Sequence, residues 1–131
     1  MTDCGDPPPP LLVQGVDEFN RGEFFECHET LELLWKSERA PVRELYQGII
    51  QIAAGFHHVG HGNHRGAVTL LERGLARLRP LPAECQGVAV GELVQSADRA
   101  LLQLVRLGPE RIRSFDRRLI PALRIGPHVD A

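Results

Sequence analysis

Between Pro41 and Val59 the chain places apolar residues around nearly the whole circumference of a helix. Leu45, Ile49, Ile50, Ile52, Ala53, Phe56 and Val59 leave one narrow strip for polar side chains, formed by Gln47, Gln51 and His58. A helix that is apolar nearly all round must be covered by its neighbours, so this segment is expected at the centre of the molecule. Pro41 suits the first turn of such a helix, where its missing N–H is not needed.

The flanking segments have the pattern of covering helices. Leu12, Val13, Val16 and Phe19 form one stripe, which ends at Asn20-Arg21-Gly22. A second helix is expected from about Glu23 to Ser37, and a fourth carries Ala67, Val68, Leu70, Leu71, Leu75 and Leu78 on its inner side. A fifth should run from about Val88 to Leu107, where Gly108-Pro109 breaks it, and a short last helix is expected around Phe115 to Leu123. No stretch alternates convincingly with period two, so no sheet is expected. The fold class read from this pattern is all-α, a single bundle of five or six helices over residues 11–125. A disordered Pro-rich tail is expected at 1–10 and a second tail at 126–131.

Composition narrows the function classes. The net charge is −2, which argues against a general nucleic-acid binder. Basic residues gather between Arg106 and Arg124; phosphate contact is one use for them, a solvated surface the simpler one. No apolar run reaches the length of a membrane span, and no secretory leader is read at the N-terminus. Cys4, Cys27 and Cys85 are odd in number and include no CxxC pair, so three reduced thiols in a cytoplasmic protein are expected. A homodimer and an unidentified small-molecule substrate stay open.

The second helix carries the most unusual pattern. On a wheel centred on His28, the residues Phe24, Phe25, Leu31, Glu32 and Trp35 all fall within about 60°. His28 and Glu32 are therefore expected inside a core-facing aromatic stripe, where a carboxylate must be paired, coordinated or protonated. The polar strip of the third helix, flanked by Gly48, Ala54 and Gly55, is expected to meet them. Two accounts follow. In one, His28, Glu32 and His58 ligate a divalent metal (Zn, Mn, Fe or Ni), with Glu29 or Gln51 orienting a bound water as weak catalytic candidates of a metal-dependent hydrolase. In the other, the same strips form a structural hydrogen-bond network in a non-catalytic binding or scaffold protein. Neither the HExxH pattern nor a pair of ExxH helices is present. Trp35 is expected in the core and Cys27 as a bystander, while His57, His61 and His64 read by default as part of a solvated turn.

The stretch Phe19-Asn20-x-Gly22-x-Phe24-Phe25-x-x-His28-Glu29-x-x-Glu32-x-x-Trp35 resembles the bacterial and archaeal domain of unknown function 309 family, whose hallmark is His-x-x-x-Glu-x-x-Trp/Tyr. Gln47-Gly48-Ile49-Ile50-Gln51-x-Ala53-Ala54 and Gly62-Asn63-x-x-Gly66-Ala67 are also similar to it. The resemblance implies an all-helical fold, an activity not established, and a motif proposed to bind metal.

Overall fold

The computed structural model describes residues 2–126 and is all-α. Five α-helices carry the architecture: α1 (Pro10–Asn20), α2 (Phe24–Ser37), α3 (Arg43–Gly60), α4 (His64–Leu78) and α5 (Val90–Leu107). They are followed by two 3-10 segments, Pro109–Ser114 and Arg117–Leu119. No helix among the described residues is long and apolar enough to cross a membrane.

Two matched turns set the layout. α1 ends with Glu23 N–H bonded to Glu18 O at 2.9 Å and Gly22 N–H to Phe19 O at 2.9 Å. α3 ends the same way, Asn63 N–H to His58 O at 2.9 Å and Gly62 N–H to Val59 O at 3.1 Å. Both are Schellman closures, which need a left-handed residue at the fifth position; Gly22 (φ +77°) and Gly62 (φ +70°) supply it. The Asn63 side chain then accepts from Gly66 N–H and caps α4. The result is two helical hairpins, α1–α2 and α3–α4, with α2 packed on α3.

α3 is central, as its sequence requires. Leu45, Ile49, Ile52, Ala53 and Phe56 are almost wholly inaccessible. Phe56 joins Phe19 and Phe24 in an aromatic cluster with ring centroids 5.1–6.3 Å apart. On the α4 side the backbones come close: a Cβ on Gly74 would stand 2.9 Å from the Gly48 carbonyl oxygen and 2.9 Å from Ile52. Only hydrogen fits there.

Three expectations need correction. A minimal antiparallel hairpin, Glu84–Cys85 with Val88–Ala89, forms where no sheet was expected. Its two-residue strands are too short to show alternation, and its signal is the Gln86-Gly87 turn, with both φ values positive at 47° and 82°. The segment around Phe115 to Leu123 forms only the short 3-10 helix Arg117–Leu119, which ends at the extended Ile120 before Pro121; beyond it the Asn20 side chain holds the Leu123 backbone through bonds of 2.9 and 2.7 Å. Finally, Cys4 and Cys85 are joined in a disulfide, leaving Cys27 as the free, buried thiol among the described residues. Residues 2–9 contain no helix or strand, yet Cys4 O accepts from Gln86 N–H at 2.7 Å, so this segment is held against the hairpin. The expectation of three reduced thiols is corrected by the disulfide. The expected tail at 127–131 lies outside the described residues.

Candidate functional site

The rotation of α2 decides what the motif residues can do. Its buried line is Phe24, Cys27 and Leu31, continued by the partly buried Leu34. That is a three-four-three spacing, the seam a helix presents when it packs against two neighbours. Leu31 fills the space over Gly15 of α1, and Phe24 meets Phe56 of α3. The expected stripe centred on His28 is therefore turned by most of a quadrant. Phe25 is 53% exposed, and the side chains of His28 and Glu32 are 39% and 36% exposed. Trp35 lies at the margin of the core, with the Arg43 guanidinium 4.4 Å above its ring. His28 and Glu32 are thus not enclosed by aromatic residues, and no burial penalty forces them to find a partner in the core.

They find partners on their own helix. His28 Nε2 lies 3.5 Å from Glu32 Oε2, and Lys36 Nζ lies 3.1 Å from Glu32 Oε1. The three residues form an i, i+4, i+8 row along one side of α2. The strip on α3 is occupied separately. Arg77 of α4 donates from Nε to Gln51 Oε1 at 3.1 Å and from Nη1 to Glu44 Oε2 at 2.7 Å. Asn63 Nδ2 donates to His58 Nδ1 at 3.1 Å. The two strips do not meet as expected: α2 keeps its contacts along its own surface, and α3 shares its polar groups with α4. Arg77, which holds Gln51, carries no motif or spacing that singles it out in the sequence.

Among the described residues, no three His, Cys, Asp or Glu side chains converge as a metal-ligand set. His28 and Glu32 are brought together; His58 does not join them as a third ligand. Glu29 is exposed on another side of α2, where it borders a shallow depression with Glu18, Glu26 and Thr30. Gln51 is committed to Arg77. The two candidates for orienting a metal-bound water therefore stand apart from the pair.

His57, His61 and His64 have defined surroundings. His61 donates from Nδ1 to His57 O at 2.9 Å, and the two rings lie 4.3 Å apart. Partial burial and the neighbouring His61 and His58 hold the His57 imidazole below its ordinary value. His64 donates from Nε2 to Leu104 O at 2.6 Å, tying the start of α4 to the end of α5. Its role is structural rather than that of a free turn residue.

Comparison with known proteins gives context for this geometry. An uncharacterised protein of Aquifex aeolicus (strain VF5) is 30% identical over 105 residues, covering 78% of this chain and 29% of the relative. Uncharacterised protein YpuF of Bacillus subtilis (strain 168) is 34% identical over 82 residues, covering 61% of this chain and 45% of the relative. The chain thus spans less than half the length of each of these two. The family described as domain of unknown function (DUF309) matches residues 12–70, from α1 into the first half of α4. That span holds both Schellman turns, the His28–Glu32 pair and the polar strip of α3. Over residues 12–70 the chain is similar to the DUF309 family.

Proposed function

We propose that the chain is a helical metal-binding protein in which His28 and Glu32 form a two-ligand, solvent-facing site for a divalent cation. One distance carries the reading: His28 Nε2 and Glu32 Oε2 are 3.5 Å apart on successive turns. With metal–nitrogen and metal–oxygen bonds of about 2.0–2.2 Å, two donors sharing a tetrahedral ion lie roughly 3.4 Å apart. The pair therefore suits a shared ion with almost no rearrangement. Lys36 on the other carboxylate oxygen fixes the rotamer of Glu32 and leaves Oε2 for the ion.

A site with two protein ligands keeps its other positions for water or for donors on a bound molecule. This favours binding over hydrolysis, since Glu29 and Gln51 are placed elsewhere. The test is metal analysis of tag-free protein purified without chelator. About one equivalent of Zn, Mn, Fe or Ni per chain, lost in His28→Ala, supports the site. Metal no higher than in His28→Ala overturns it and leaves the row His28–Glu32–Lys36 as polar contacts along a helix surface in a non-catalytic binding or scaffold protein.

A further inference from the structure

At the end of the bundle away from Trp35, the turn after α3 faces the 3-10 segments that follow α5, and a cavity of about 310 Å³ lies between them. Val59, Ile112 and Phe115, all at most 8% exposed, provide an apolar floor. His61, Arg113 and Arg117 stand exposed around it, and no acidic side chain lines it. The neighbouring arginines are engaged. Arg111 donates to the carbonyls of Leu107 and Arg106, Arg118 pairs with Asp116, and Arg124 pairs with Glu92. Arg113 and Arg117 have no carboxylate partner among the described residues.

A helix C-terminus is ordinarily a poor neighbour for an anion, because its last carbonyls carry partial negative charge. Here three of the last four carbonyls are already bonded. His57 O accepts from His61 Nδ1, His58 O from His61 and Asn63 N–H, and Val59 O from Gly62 N–H. The turn thus engages most of the negative end of α3, and the formally charged side chains at the cavity are the two guanidiniums of Arg113 and Arg117. Uncompensated arginines over an apolar floor favour a molecule with a doubly charged oxyanion head and an apolar body.

We infer that the cavity bounded by His61, Arg113, Phe115 and Arg117 binds a small organic dianion of the phosphate monoester type, with the phosphoryl group on the two arginines and the apolar body against Phe115 and Ile112. This site is separate from the His28–Glu32 pair and does not depend on it.

Calorimetric titration of the full chain with phenyl phosphate tests the inference, with inorganic phosphate (head without body) and benzoate (a singly charged head on the same ring) as comparison arms. The expected result is saturable 1:1 binding of phenyl phosphate, weakened at least about tenfold in Arg113→Gln/Arg117→Gln by loss of two charge-assisted contacts. Arg106→Gln, an exposed arginine outside the cavity, should bind as wild type. Amide shifts of residues 60–62 and 112–117 on titrating wild type give a readout that does not depend on the variants folding. Absent saturation in the millimolar range, unchanged affinity in the double variant, shifts confined to other residues, or equal binding of inorganic phosphate or benzoate would each overturn it.

Discussion

Tyr46→Phe isolates one buried polar contact that joins the bundle to the hairpin. Tyr46 and Gln86 are both fully buried, and the Tyr46 hydroxyl donates to Gln86 Oε1 at 2.6 Å. Burial pushes the phenol above its ordinary value, so it remains a donor at neutral pH and well above it. Gln86 is otherwise occupied: its N–H donates to Cys4 O at 2.7 Å and Nε2 to Asp3 O at 3.3 Å. Removing the hydroxyl leaves Oε1 without its donor, and an unsatisfied buried acceptor costs about 1–3 kcal/mol, more than the net worth of an ordinary hydrogen bond. In a domain of this size each kcal/mol moves Tm by roughly 3–5 °C. Tyr46→Phe should therefore lower Tm by about 3–15 °C and shift the urea midpoint with an unchanged m value. The second half of the cycle is decisive. In a Gln86→Met background the acceptor is gone, and Tyr46→Phe should cost less than about 0.5 kcal/mol. Equal cost in both backgrounds would refute the reasoning, because the loss would then come from packing around the ring.

Three further outcomes follow from the same structure. Gly74→Ala gains about 1 kcal/mol of helix propensity but drives a methyl to 2.9 Å from the Gly48 carbonyl oxygen; overpacking against backbone should win, with a net loss of about 1–2 kcal/mol in urea unfolding, and stabilisation would contradict it. Cys27 is pushed up to about 12 by burial, reinforced by Glu18; at pH 8 it should react with an aromatic disulfide reagent only as fast as the protein opens, and rapid labelling of the native chain would be the wrong result. Cys4 and Cys85 close a loop spanning 81 positions; Cys4→Ser should lower stability by up to about 4 kcal/mol, and Tm values that match with and without reductant in wild type would show that the N-terminal segment is not tied.

Much of the architecture was legible because α3 admits no other solution: an all-round apolar helix needs neighbours on every side. The breaks were legible for a similar reason, since Gly22, Gly62 and Gly108 adopt positive φ at the places where periodicity stops. The rotation of α2 was not. Aromatic bulk drew the expected seam toward Phe25 and Trp35, whereas the packed seam uses Cys27, a small residue that is fully buried. Hydrophobicity ranks Phe25 above Cys27; available volume ranks them the other way, and volume follows from the tertiary arrangement. The polar contacts were hidden for another reason. Arg77 reaching Gln51 and Glu44, Asn20 holding Leu123, and Tyr46 meeting Gln86 join residues 26–103 positions apart, distances over which a helical wheel carries no information.

Competitive zinc titration at fixed pH, against a chelator of known affinity, addresses the His28–Glu32 site most directly through Glu32→Gln. The substitution keeps size and removes charge. Because the side chain is 36% exposed and paired only along the helix surface, it should alter metal-free stability by no more than about 0.5 kcal/mol. A metal site predicts zinc affinity at least about tenfold lower in both Glu32→Gln and His28→Ala than in wild type, with metal-free melts nearly superimposed. Equal zinc affinity in all three proteins would contradict the assignment.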